Sequence, residues 1–307
     1  MRIKKNKNGL TVVMYHHIVV RKKYFNGISF AKFKKQITYF KKNYNILSPK
    51  EFYEKLKKKT FNNDDCLITF DDGYQSQYHY AFNFLNSYNL KAFFFPMVLG
   101  CNSNKIHQVN KIHLLLKLSK NKQKLFEEIK FLIKNNNIKI FKNLKKIINN
   151  IKTKKFYDDS IDIIIKRLLQ RDLPLKLREK ICNKLFNELN IKKNAIKNMY
   201  MNDMQLKKLK ENGHEIGVHT LNHFWLSNLK KTEQSREIKK CLETLRKKKL
   251  INKAWSFCYP FGDYNHLSIQ ILKKLNCTAA FSLKNKIQDI KKIKKFEICR
   301  IDCNEFL

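Results

Sequence analysis

Two groups of residues in this chain combine types and spacings that suit chemistry. The first is Thr69–Phe70–Asp71–Asp72–Gly73–Tyr74, where two adjacent carboxylates end the apolar run Cys66–Phe70. The second, far downstream, is His219–Thr220–Leu221–Asn222–His223. Side-by-side carboxylates repel, and a cation or a shared proton has to compensate them. Imidazoles four residues apart lie on one side of a helical turn and can chelate one ion. Asp72 would add a third, harder ligand and leave positions open for water and substrate. Alone, Asp-Asp-Gly reads as a solvated turn, and a single His-x-x-x-His as surface or core histidines. Found together at strand ends, they read as one metal-dependent site.

The elements around them must bring these residues to one place. Cys66–Phe70 is too short for a helix and suits a strand buried on both faces, and Gly73 permits a sharp turn after it. Leu10–Tyr15 is an earlier strand that ends in His16–His17, only one of which can face a given side. A helical stripe follows Ser29 (Phe30, Phe33, Ile37, Phe40), and Ser48–Pro49 opens a second helix. A helix over Tyr78–Tyr88 leads to the strand Ala92–Val98. After residue 200 come a helix stopping at Asn212–Gly213 and the strand Glu215–Val218. The helix Thr232–Lys249 and the strand Ala254–Tyr259 follow, then the helix Ser268–Leu275 and the strands Thr278–Leu283 and Phe296–Ile301. Strands alternating with helices imply an α/β fold with a parallel sheet or barrel. The strands' C-terminal ends then form one face, where His16, Asp71–Asp72, His219/His223, Pro260–Phe261–Gly262 and Arg300 converge. Residues 1–100 and 201–307 form this core, and 101–200 read as a helical insertion with no chemistry of its own.

On these motifs the chain resembles the polysaccharide deacetylase family, also known as the NodB-homology or carbohydrate esterase family 4 proteins. Thr69–Phe70–Asp71–Asp72–Gly73 matches its first motif, T-F-D-D-G, and His219–Thr220–Leu221–Asn222–His223 its second, H-[ST]-x-x-H. The third, usually R-x-P-[YF], stands here as Cys258–Tyr259–Pro260–Phe261. The resemblance implies a distorted (β/α) barrel and a divalent metal, zinc first, with Co2+, Ni2+ or Mn2+ as alternatives, held by Asp72, His219 and His223. It implies Asp71 as catalytic base and the backbone N–H of Phe261 as oxyanion donor; Pro260 and Tyr74 are candidates beside the substrate, with packing an equal reading for Tyr74. A divalent ion there would polarise an acetamide carbonyl and lower the pKa of water towards about 7. Two departures stand out. The third motif's Arg is Cys258, and Arg300 is the candidate to orient the base in its stead. The late L-x-H motif that supplies the general acid is absent after Phe261. Circularly permuted relatives, the poly-N-acetylglucosamine deacetylases, carry that His on the first strand after a Tyr, as in Tyr15–His16. His16 is therefore assigned as acid and His17 a structural role.

Composition limits the partners. Lys and Arg number 65 against 25 Asp and Glu, a formal charge of +40. The excess is nearly all Lys spread over the whole length, whereas a reader of bases concentrates Arg and aromatics on one element. No specific nucleic-acid partner is expected, but a basic surface can attract anionic sugars, phosphate-linked carriers or anionic membrane headgroups. No apolar run reaches the roughly 18–20 residues of a membrane span, and the basic N-terminus does not read as a secretory signal, which points to the cytoplasm. Eight cysteines without a C-x-x-C pair read as reduced core thiols. His79, His107, His113, His214 and His266 read as surface histidines, Asp64–Asp65 as a solvated loop, and Trp225 as a residue for packing or sugar contact. The expectation is hydrolysis of an N-acetyl group on a cell-surface carbohydrate or its nucleotide- or lipid-linked precursor. Alternatives are hydrolysis of a cyclic amide or formamide, or a non-catalytic basic binding protein.

Overall fold

The computed structural model describes residues 9–20, 25–101, 105–152, 161–189, 191 and 198–306. It divides into two compact units, one of Met1–Lys22, Asn26–Lys105 and Asn198–Leu307, the other of Lys23–Phe25 and Ile106–Lys197.

The first unit is an α/β barrel of parallel strands. Strand β1 (Thr11–Tyr15) pairs with β5 (Asp65–Asp72), from Thr11 opposite Cys66 to Tyr15 opposite Phe70. Two short strands, β2 (Ile18–Val19) and β3 (Ile28–Ser29), pair with each other, and β4 (Asn45–Ile46) adds to the start of β5. The far half of β5 pairs with β6 (Phe93–Pro96), and β6 with β7 (Glu215–Ile216). A single bridge from Val218 to Phe257 joins β7 to β8 (Ser256–Cys258), which pairs with β9 (Ala279–Phe281). Phe281 then bridges Ile298, and β10 (Ile301–Asp302) returns to β1 at Val13 and Met14. The ring is closed, partly by isolated bridges, which makes it a distorted barrel. The expected last strand, Phe296–Ile301, is instead one bridge at Ile298 followed by two ladder residues.

Alternation along the strands sorts the core. Val13, Ile68, Phe70, Phe94 and Phe257 pack outward against Phe33, Ile37, Phe40, Leu242 and Leu272 of the surrounding helices. Val12, Leu67, Phe93, Phe95 and Phe281 form a separate cluster inside the ring. Phe281 lies 5.5 Å from Phe93 and 5.6 Å from Phe95, ring to ring, although β9 and β6 are not neighbours in the sheet. The interior is therefore filled with side chains, as barrel interiors of this size are. Leu67, Thr69 and Asp71 share the inward parity of β5, so the first catalytic candidate stands at the top of a packed column. Helix Phe30–Asn43 is capped by Ser29, and helix Pro49–Lys58 carries a Ser48/Glu51 capping box with Pro49 in its first turn, the arrangement that satisfies otherwise orphaned N–H groups.

Asp65 is a correction. It is fully buried at the foot of β5, paired with Lys55 at 2.8 Å and accepting from Asn62 N, where a solvated loop was expected. Where one helix was expected after Asp72, the chain makes a π-helical turn over Gln77–Phe82 and then a short α-helix, Asn83–Ser87.

The second unit is helical: Gln108–Leu118, Lys122–Asn136, Ile138–Lys152, Ile161–Arg167 and Leu175–Glu188, around a core that includes Ile112, Leu115, Ile129, Ile133, Ile165 and Ile181. No helix among the described residues is long and apolar enough to cross a membrane.

Candidate active site

Asp71 is fixed from several directions. Arg300, 1% exposed, donates from Nη1 to its Oδ1 at 2.7 Å and from Nη2 to its Oδ2 at 2.6 Å. The same guanidinium donates to Thr69 Oγ1 at 3.2 Å, to Ser282 O through Nε at 3.4 Å, and to Cys258 Sγ at 2.9 Å. Burial alone would raise the Asp71 pKa, but the Arg300 charge and its hydrogen bonds outweigh it and hold the carboxyl down to about 2. The group is a carboxylate throughout the physiological range. Cys258, whose thiol burial pushes up, stays protonated and directs its S–H at Asp71 Oδ2, 3.4 Å away.

Neighbouring residues of a regular strand face opposite sides, so Asp72 should point away from Asp71. It does not, because its φ is +71° and Gly73 follows at +69°. A side chain on Gly73 would meet Pro96 at 2.6 Å, so the turn requires glycine for space as well as for dihedral. Thr220 (+62°), His223 (+58°) and Phe261 (+58°) also sit in the left-handed region. Every other non-glycine residue there, among those described, is an Asn or a Lys. Such conformations cost about 1–3 kcal/mol each and concentrate where function fixes a side chain; a β-branched Thr at positive φ is a genuine outlier.

His219 and His223 do not lie on a helix, contrary to the reading of their spacing. They flank an irregular loop tied by His223 N donating to Thr220 Oγ1. Asn222 anchors that loop to buried Glu237 through its N–H at 2.8 Å and its side chain at 2.7 Å. Both Nε2 atoms lie 3.5 Å from Asp72 Oδ1. His219 Nδ1 is 2.8 Å from the Cys258 carbonyl. The carbonyl can only accept, which places a proton on Nδ1, so that in the neutral ring Nε2 is the lone pair turned towards Asp72. One ligand atom from each of Asp72, His219 and His223 lies within 4.8 Å of the others, and Asp72 Oδ1, though buried, accepts no hydrogen bond. Two imidazoles and an unsatisfied carboxylate oxygen in a buried mouth fit a divalent cation.

His16 lies just past β1 with its side chain 42% exposed and Nε2 4.0 Å from Asp71 Oδ2. His17 stacks on Tyr74 at 3.3 Å. Tyr74 is 2% exposed and stacks on Tyr200 as well as His17, so its ring packs and offers no face to a sugar, a correction to its assignment beside the substrate. Pro260 is likewise buried and shapes the turn Pro260–Gly262. The hydrogen bonds of that turn come from Gly262 N to Tyr259 O and from Asp263 N to Pro260 O, not from Phe261. The Phe261 ring meets His223 edge-on at 4.6 Å and Trp225 face-on at 4.6 Å.

A family model described as polysaccharide deacetylase matches residues 58–113 and 187–280, which hold both Asp71–Asp72 and His219–His223. The chain belongs to the polysaccharide deacetylase family. Carbohydrate deacetylation is the activity that this membership supports. The fold is shared with solved structures of low identity. The deacetylase PplD of Streptococcus pyogenes, in complex with acetate, is 18% identical over 96% of this chain and 92% of its own, with a TM-score of 0.58. IcaB from Ammonifex degensii is 15% identical over 96% and 91%, with a TM-score of 0.58. A de-N-acetylase from Aggregatibacter actinomycetemcomitans is 17% identical over 96% and 95%, with a TM-score of 0.55. Comparison with curated proteins gives no match.

Against the deacetylase pattern, the third motif's missing Arg has a counterpart in space. Arg300, just ahead of β10, reaches Asp71 from the neighbouring side of the ring and touches Cys258, the residue at the motif's Arg position. Sequence reasoning missed Gln77, buried in the π-helical turn and bonded to the backbone of Asp71. His214 and His107, expected at the surface, are buried: His214, 2% exposed, accepts from Ala92 N at 3.1 Å and packs against Phe82 and Phe94. His79, His113 and His266 are exposed, as expected.

Proposed function

We propose that this deacetylase is a metal-dependent enzyme that removes the acetyl group from the amino group of a sugar, in a cell-surface carbohydrate or its nucleotide- or lipid-linked precursor. One observation carries the reading: an ionised aspartate, clamped by a buried arginine, shares a mouth with a cluster of one carboxylate and two imidazoles. Asp72, His219 and His223 would hold the cation, with zinc the first choice for this donor set. When bound, such an ion supplies Lewis acidity to the reacting carbonyl and to water.

The chain's own residues do the rest. Asp71, kept ionised and oriented by Arg300, takes a proton from the attacking water. The Phe261 N–H, at a backbone turn of positive φ, faces the charge that develops on the carbonyl oxygen. His16, on the solvent side of Asp71, gives a proton to the departing sugar amine, which leaves poorly without one. A formal charge of +40 favours an approach by substrates on anionic, phosphate-linked carriers.

Incubating the zinc-loaded protein with oligomeric and nucleotide-linked N-acetylhexosamines tests the reading. Acetate and free amine should appear in equal amounts, cease after chelation and return with added zinc. Cleavage of a cyclic amide or a formamide, with every N-acetyl sugar untouched, would move the site to another C–N bond.

A further inference from the structure

The pairing of β1 with β5 stops at Tyr15 opposite Phe70. The next residues on the two strands are His16 and Asp71, the proposed acid and base. Their carbonyl groups lie beyond the ladder's last pair, yet both are satisfied by one side chain. Gln77 Nε2 donates to Asp71 O at 2.6 Å and to His16 O at 3.1 Å. A primary amide has two N–H donors, and this geometry uses both. Gln77 is fully buried, its Oε1 accepts no hydrogen bond, and its N–H is held by Tyr74 O at 2.9 Å. The orientation of the amide is therefore set by its donors: an oxygen in place of Nε2 would face two carbonyl oxygens. The residue begins the π-helical turn Gln77–Phe82, a distortion frequent at functional sites. One residue earlier, Ser76 Oγ accepts from Ile18 N at 3.3 Å, a second tie from the same turn to the segment carrying His16.

We propose that Gln77 is a positioning residue that sets the general acid against the general base. The proposal rests on the deacetylase reading and on His16 as proton donor. Its effect is unequal between the two groups. Asp71 keeps its ladder to β6 and both Arg300 bonds without Gln77. His16 has left its strand, its side chain is 42% exposed, and its nearest charged partner is Asp71 at 4.0 Å. Loss of the amide should therefore displace His16 first and impair proton donation to the amine more than attack by water.

The test compares Gln77→Met and Gln77→Glu with wild type on two acetyl donors, an N-acetylglucosamine oligomer and an aryl acetate ester. The amine must be protonated as it leaves, whereas the phenolate need not be. Misplacing an acid by about 1 Å can cost on the order of 100-fold, within the roughly 10²–10⁴ that general acid catalysis supplies. Both variants should lose about 10–100-fold in kcat on the amide with KM within about twofold, and less than about threefold on the ester, the split expected of His16→Ala as well. Bound zinc should equal that of wild type. The amide-to-ester ratio is independent of how much enzyme is folded, so partial unfolding of a variant cannot imitate the result. An unchanged ratio in both variants, with wild type active, overturns the role of Gln77 alone. Wild type inactive on both donors overturns the deacetylase reading and this assignment with it.

Discussion

Arg300 and Asp71, 229 residues apart in the chain, form a two-pronged ion pair inside the barrel, with N–O distances of 2.7 and 2.6 Å. Both side chains are nearly inaccessible, at 1% and 4%. A guanidinium matches a carboxylate in two parallel bonds, which fixes direction as well as charge. A base held this way has its carboxylate plane fixed by the fork, and the Cys258 thiol takes a further position on Oδ2. Cys258, Thr69 and the Ser282 carbonyl complete the guanidinium's shell, so Arg300 serves the base and is itself constrained by the barrel wall.

Replacing Arg300 by Lys should therefore not be mild. A lysine keeps the charge but supplies a point donor in place of the fork. Turnover should fall by about 100-fold or more, and urea unfolding should show a loss of about 1–3 kcal/mol, the scale for buried hydrogen-bonding groups left unmade while the charge is kept. A variant with wild-type turnover and stability would show that the pair neither orients the base nor secures the fold.

Asp71 and Asp72 are adjacent but should separate cleanly on mutation. Asp71→Asn leaves Asp72, His219 and His223 in place, so zinc measured by atomic spectroscopy should stay near one per chain while acetate release disappears. His219→Ala removes one of three donors, and zinc should be lost together with turnover. Loss of metal from a folded Asp71→Asn variant would reassign the ligands, and full zinc in His219→Ala would break up the proposed set.

Much of this site was legible because its signals are local. Cys66–Phe70 followed by Asp71–Asp72–Gly73 is an apolar run with a turn signal, and the run is the buried strand it reads as. What brings the motifs together is not local. His219 and His223 converge through positive φ at Thr220 and His223, held by Asn222 on Glu237; a helical spacing rule gives the right pair for the wrong reason. Arg300 could be suggested from its place at a strand end and from the third motif's missing Arg, but no motif around it marks its partner. Gln77 carries no sequence signal, because an amide in an apolar, aromatic stretch reads as any helix residue. The burial of His214 comes from a partner distant in the chain, Ala92, and that of Asp65 from Lys55, at the end of the preceding helix.

Glu215 should make stability depend on pH. Burial raises its pKa from 4.5 to about 7, although hydrogen bonds from Asn252 and Tyr53 oppose the shift. A raised folded-state pKa means that the folded protein binds more protons than the unfolded chain between about 4.5 and 7. The contribution is complete below 4.5 and is lost as pH rises through about 7. His214 acts in the opposite sense. Burial, and then Lys91, lower its pKa from 6.5 to about 3, so its contribution is complete above 6.5 and is lost as pH falls towards 3. The two overlap and partly mask each other in the wild type. Glu215→Gln isolates the first: relative to wild type, it should gain about 1–3 kcal/mol in urea unfolding on going from pH 5 to pH 8. A difference constant with pH would mean that Glu215 titrates alike in both states.

Cys258 occupies the position where the family's third motif has its arginine, and the guanidinium of Arg300 lies 2.9 Å from its sulfur. The two positions therefore compete for one place beside Asp71. Cys258→Arg alone would force a second guanidinium against the first in a packed interior, where overpacking costs about 1–3 kcal/mol before like-charge repulsion is added. Arg300→Ala alone would leave a buried carboxylate without its cation. In the double variant, the arginine introduced on β8 can enter the space that Arg300 vacates and reach the same carboxylate, with one positive charge restored. Stability and kcat should then exceed those of either single variant, with a coupling of about 1–3 kcal/mol in the cycle, within the range for residues in contact. Additive losses would show that an arginine from β8 cannot serve this base in this barrel, and that the geometry of the cation, beyond its charge, ties the base to Arg300.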